Sequence, residues 1–172
     1  LVITADRGLA GAYNQNVIQE TLRRLERHPD SRLFVVGSNG RHFFKTHGVS
    51  VEESFHYSAQ SPTLQHAREI TARLLHLFDH GKITKIFMVY TDWRGAETQV
   101  RTARLLPLES GQFTAAAQGD GIRIRYEPSP AEVLAKIVPA YLTGFLYAAM
   151  VDSFCAEQNA RAAAMDAANQ NE

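Results

Sequence analysis

The stretch that most constrains this chain is its last quarter, Ser129 to Glu172, which reads as one long helix. Ser129 is placed to cap it, Pro130 stands where its missing N–H costs nothing, and Glu132, three residues after the cap, completes a capping box. Leu134, Ile137, Val138, Tyr141, Leu142, Phe145, Leu146 and Ala149 then recur at steps of three and four, predicting a face packed on a core. Past Cys155, Ala156, Ala160, Ala163, Ala164, Ala167 and Ala168 leave Met165 as the exception among small side chains. A helix from Ala131 onward would be about 60 Å long at ~1.5 Å per residue, while a compact domain of this size is only about 40 Å across. Roughly a third of the helix therefore has nowhere to pack within its own domain, so it either frays or lies against a helix outside this sequence. Pro139 predicts a bend, and Glu157 with Arg161 a favourable i,i+4 pair where the chain leaves the domain.

Upstream, short apolar runs alternate with helical periodicity. Leu1–Ala5, Arg32–Gly37 and Ile83–Thr91 read as strands, with a weaker one over Val49–Phe55 and two more over Glu97–Leu108 and Ile122–Tyr126. Val17, Ile18, Leu22 and Leu25 mark a helix, Ser38 and Asn39 offer caps for a short one ending at Gly48, and Ser61-Pro62 opens a third that closes at Gly81. Glu109–Gly121 has no periodicity and reads as a flexible loop. Strands separated by helices predict an α/β fold, an open, mainly parallel sheet with helices on both faces and one long C-terminal helix extending beyond the domain.

Bulk properties narrow the function. Lysines and arginines balance the acids at a formal net charge of zero, which argues against a nucleic-acid or anionic-membrane binder working through bulk charge and leaves a local basic patch open. The single cysteine, Cys155, cannot form an internal disulfide, so a reducing compartment is the simpler expectation, with the thiol buried on a helix face. No apolar run reaches the ~18 residues of a membrane span, and no signal peptide is evident. Because a strand begins at once on Leu1, the chain is expected to be cut from something longer.

Three groups invite a chemical reading. Asp6, Arg7, Gly8 and Gly11 form a turn at the carboxyl end of the first strand, where open α/β sheets often bind ligands and backbone N–H groups can cradle phosphate. The turn is neither GxGxxG nor a P-loop, so a structural tight turn competes with a small-ligand site for a nucleotide or phosphate. His76 and His80 stand four apart on a helix, but no third ligand or HExxH accompanies them, and surface histidines are expected. Ser-His-Asp chemistry lacks a GxSxG. Arg101 and Arg104 with Arg123 and Arg125 would make a basic surface if their segments pair.

The residues also resemble a family. ITADRGLAGAYNQN is similar to the segment TSDRGLCGGLNxN, and SFCAEQNARAAAMDAANQN to ASEQAARMVAMxxATxNA, both of the gamma subunit of rotary ATP synthases. Between them VVGSNGRHFF, LLPL, YEPSPAEVL and IVPAYLTGFLYAAM resemble family segments in the same order, so the resemblance covers essentially the whole chain. It implies a non-catalytic central-stalk rotor with no cofactor or metal, whose coiled coil turns inside the alpha and beta subunits and whose α/β domain lies near the epsilon subunit and the membrane proteolipid ring. No nucleic acid is implied. The location implied is peripheral, at the cytoplasmic face of a bacterial inner membrane. Residues 1–155 would then be a Rossmann-like domain and 156–172 the start of the coiled-coil shaft, free to self-associate when its partner helix is missing. Gln158, Ala160, Arg161, Ala164 and Met165 match the helix entering the coiled coil, and Tyr126, Glu127 and Pro128 the foot facing the ring. Ala10 stands where the family usually has cysteine, Ala12 and Tyr13 where it has Gly-Leu, and Asn159 and Ala163 also depart from the pattern.

Overall fold

Val2 and Ile3, adjacent in the first strand, must point to opposite faces of a sheet, and each seeds a separate core. In the computed structural model, which describes residues 1–95, 97–108 and 129–170, Ile3 joins Phe34, Val36 and Met88 on one face, and Val2 joins Val35 and Val89 on the other. The elements are β1 (Val2–Ile3), α1 (Tyr13–Arg27), β2 (Val35–Val36), α2 (Ser38–Thr46), α3 (Leu64–Asp79), β3 (Ile86–Arg94), β4 (Glu97–Leu106) and α4 (Pro130–Asn169). The sheet runs β2-β1-β3-β4: β1 is parallel to both neighbours, and β4 returns antiparallel to β3 as a hairpin. Ala67, Ile70 and Leu74 of α3 and Leu142, Leu146, Ala149 and Met150 of α4 cover the Ile3 face, while Val17 and Ile18 of α1 and Phe44 of α2 cover the Val2 face. The expected α/β architecture with helices on both faces is therefore present.

The differences from expectation lie at element ends. The weak strand over Val49–Phe55 is reduced to isolated parallel bridges, Leu33 with Val51 and Val36 with Tyr57. The third helix takes Thr63 as its cap, whose hydroxyl accepts the His66 N–H at 3.1 Å, in place of Ser61. At α4, Ser129 Oγ accepts the Glu132 N–H at 3.2 Å, as the capping pattern predicts, and the helix runs unbroken through Pro139. Ile137 and Tyr141, read as core positions, are exposed, and Cys155 is half-buried rather than buried. By length and composition Ala135–Asn169 would also cross a bilayer, contrary to the reading from run lengths. Alanine supplies much of that apolar character, and Leu142, Leu146 and Met150 are buried against the sheet and α3 as in a core helix. The strand over Ile122–Tyr126, the loop Glu109–Gly121, Arg123, Arg125 and the foot residues Tyr126, Glu127 and Pro128 lie outside the described residues.

Candidate functional site

The turn after β1 is held from two sides, and α4 is one of them. Its acidic residue faces inward. Asp6 Oδ1 accepts the Ser38 N–H at the start of α2 (2.8 Å), while Oδ2 accepts the Ser58 hydroxyl (2.6 Å) and the N–H groups of Ala59 (2.8 Å) and Gln60 (3.1 Å). Burial works against the carboxylate, but the bonds from Ser58, Ser38, Ala59 and Gln60 together outweigh it and hold the Asp6 pKa below its ordinary value. α2 has no side-chain cap of its own, so Asp6, not Ser38 or Asn39, supplies the negative charge at its amino end. Where a doubly wound fold could seat a phosphate at this helix, the chain has placed its own carboxylate.

Close approach of backbones makes this possible. A Cβ on Gly37, at φ +94°, would fall 2.3 Å from the Thr4 carbonyl oxygen, and one on Gly40 would fall 2.4 Å from Thr4 Oγ1. The rest of the turn is tied by Asn14, whose Oδ1 accepts the Ala5 N–H at 2.9 Å and whose Nδ2 donates to the Arg7 carbonyl at 3.4 Å. Arg7 and Gly8 are exposed, and Leu9 stands at φ +61° with 81% of its surface in solvent.

α4 runs past this turn. Ala156 and Ala160 pack on Ala5, Ala10 and Tyr13, and the small side chains let the helix approach the turn closely. Arg161 Nη1 donates to the Gly8 carbonyl at 2.7 Å, and Nη2 meets Glu157 Oε1 at 2.5 Å. Glu157 is 2% exposed and the Arg161 side chain 19%, so the expected i,i+4 pair is buried at its carboxylate and reaches the surface at its guanidinium. Two turns earlier the buried Ser153 hydroxyl accepts the Thr91 N–H of β3 at 3.2 Å, and burial pushes the pKa of the Tyr13 hydroxyl up, partly countered by its hydrogen bond with Ser153. Beyond Arg161 the helix is largely exposed: Ala162, Ala163, Met165 and residues 166–170 are exposed, as is Gln158 just before it, and Ala164 is half-buried.

The other candidates form no site among the described residues, and the basic surface expected with Arg123 and Arg125 lies partly outside them. Arg101 pairs with Asp92 across the hairpin at 2.5 Å, beside an Arg94–Asp92 contact at 3.1 Å. Burial, then the nearby Asp92, raises the pKa of Asp152 on the facing helix. His76 and His80 sit on the surface with ring centres 4.1 Å apart, and no three metal-ligating side chains converge among the described residues. Ser153, Asn14 and Ser58 escaped the sequence reading. Ser153 alone carried a signal, as a small polar residue in phase with Leu142, Leu146, Ala149 and Met150.

Fold and site thus define an α/β domain that grips one long helix at its carboxyl edge and leaves most of its last two turns exposed. The ATP synthase family model matches residues 1–172, and the chain belongs to the gamma-chain family of ATP synthases. It is 40% identical over 181 residues to the ATP synthase gamma chain of Caldanaerobacter subterraneus subsp. tengcongensis, covering 99% of this chain and 61% of that one. To the gamma chain of Moorella thermoacetica it is 38% identical over 173 residues, covering 99% and 60%. The chain thus spans about 60% of the length of the curated relatives it matches. Its fold is similar to a chain of the Tetrahymena thermophila mitochondrial ATP synthase central stalk and c-ring, with a TM-score of 0.74, 21% identity, and 98% of this chain and 74% of that one covered.

Proposed function

We propose that this chain is the globular part of a non-catalytic rotor subunit, the central stalk of an ion-translocating ATP synthase. The observation that carries the reading is the exposure of most of α4 beyond Arg161, with an alanine-lined surface continuing into solvent. Such a surface suits close packing against a second helix, and a helix bound on one side to a folded body is suited to transmitting torque without reacting groups of its own. In this reading Gln158, Ala164 and Met165 meet the paired helix or the surrounding alpha and beta subunits. Ala160 and Arg161, turned toward the chain's own turn, act from within to hold the shaft. The boundary between domain and shaft then falls after Arg161, a turn and a half beyond Cys155.

The partners proposed are the alpha and beta subunits, the epsilon subunit and the membrane ring, the last two toward the foot at Tyr126, Glu127 and Pro128. The proposed location is peripheral to a bacterial inner membrane on its cytoplasmic face. The test is reconstitution of the full-length protein with alpha, beta and epsilon subunits. A stable complex whose ATP hydrolysis depends on the added chain is expected; failure to enter the complex refutes the proposal.

A further inference from the structure

Separate pieces of chain meet at the turn Asp6–Gly11. At its start the Asp6 carboxylate takes donors from Ser38, at the head of α2, and from Ser58, Ala59 and Gln60, in the loop that leads to α3. Ser38 Oγ donates in turn to the Asp6 carbonyl at 2.9 Å, and the Asn39 N–H to the Ala5 carbonyl at 3.1 Å. Asn14 of α1 holds the Arg7 carbonyl. Two residues past Asp6, the Gly8 carbonyl accepts Arg161 of α4 at 2.7 Å. The carboxylate that caps α2 and the carbonyl that receives the long helix thus sit on the same short run of main chain.

That run is positioned by bonds and not by packing. Gly8 is exposed, and a Cβ built on it would meet nothing within 4 Å, so its carbonyl is placed by what holds its neighbours. Upstream there is no slack: Gly37 and Gly40 approach Thr4 too closely for either to carry a Cβ, which fixes the end of β1. Downstream Leu9 stands at φ +61°, a strained region for a leucine, and such a residue persists only where its surroundings over-determine the backbone. A displacement of the Gly8 carbonyl is therefore passed along the two intervening residues to Asp6, and from Asp6 to α2 and the loop Ser58–Gln60.

We infer that Asp6 is a positioning residue for α4: it sets the Gly8 carbonyl opposite Arg161, and through that contact links the loop Ser58–Gln60 and the amino end of α2 to the long helix. The link is reciprocal, so loosening either end loosens the other. The test is amide hydrogen exchange of the full-length protein, read at Glu157–Arg161, at Ser38 and Ala59–Gln60, and at Met150–Ser153 as an internal reference. The variants are Asp6→Asn, which turns an amide group toward the donors of Ser58, Ala59 and Gln60, then Arg161→Met, and the two together. Ile18→Val, a core change on the Val2 face of the sheet, controls for a general loss of stability. Asp6→Asn is expected to speed exchange at Glu157–Arg161 about tenfold, as loss of one charge-assisted bond does, with Met150–Ser153 unchanged. The double variant should exchange there no faster than Arg161→Met alone. Ser58→Ala removes one donor from the same oxygen at an exposed position, and should give the same pattern at about two- to threefold, which keeps the test open if Asp6→Asn does not fold. Faster exchange confined to Ser38 and Ala59–Gln60, rates that multiply in the double variant, or the same pattern in Ile18→Val overturns the inference and leaves Asp6 as a cap for α2 alone. None of these readouts depends on the rotor proposal, which stands or falls on reconstitution.

Discussion

Arg161→Met tests the grip of the domain on its long helix. The substitution keeps much of the side chain's apolar bulk but removes the guanidinium that bonds both Gly8 and Glu157. Glu157, 2% exposed, is then left as a buried carboxylate without its cation. Removing one partner of a buried ion pair costs about 3–5 kcal/mol, because the stranded charge has lost water without compensation. For a domain of this size that is a fall in Tm of roughly 6–20 °C. Glu157→Leu combined with Arg161→Met removes both charges, and replacement of a buried pair by apolar groups is often neutral or better. The double variant should therefore recover most of the lost stability. Thermal and urea unfolding followed by far-ultraviolet circular dichroism give both values. An Arg161→Met protein as stable as the parent, or a double variant no better than the single, would refute the argument that the pair is buried and closed.

Gly37→Ala should lower stability by about 4 kcal/mol or more, since its Cβ meets the Thr4 carbonyl at 2.3 Å and φ is positive, whereas Gly95→Ala, also at positive φ but open to solvent, should cost only ~1 kcal/mol; urea midpoints compare them. Asp6 has a lowered pKa, so its contribution is present above the ordinary aspartate value near 3.8 and is lost as pH falls through the lower folded value. Asp6→Asn should flatten that acid limb in a series of Tm measurements from pH 5 to pH 2.

Much of this was legible where a signal is local. Ser129, Pro130 and Glu132 announce the start of α4 within four residues, and the period of its apolar positions announces that it packs. The same periodicity misled at Ile137 and Tyr141, because it records which side chains share a stripe and not how wide the covered part of that stripe is. Asp6 looked like a candidate ligand contact because its true partners, Ser38 and Ser58–Gln60, are more than thirty residues away and carry no pattern that points back. The Glu157–Arg161 pair was visible by spacing, but its burial was not, since nothing near it in sequence specifies that the Gly8 carbonyl will arrive opposite. Ser153 lay in phase with the core yet was passed over, since a hydroxyl there has meaning only once β3 presents the Thr91 N–H.

Those last two contacts have a joint consequence. Ser153 and Arg161 are eight positions apart on α4, which places their attachments about 12 Å apart along the axis and ~80° apart around it. A single attachment would leave the helix free to pivot, and two on one line would let it roll about that line. Two pins offset in both height and angle resist rocking and rolling together, so a twist applied to the exposed end is delivered to the sheet as rotation of the whole body.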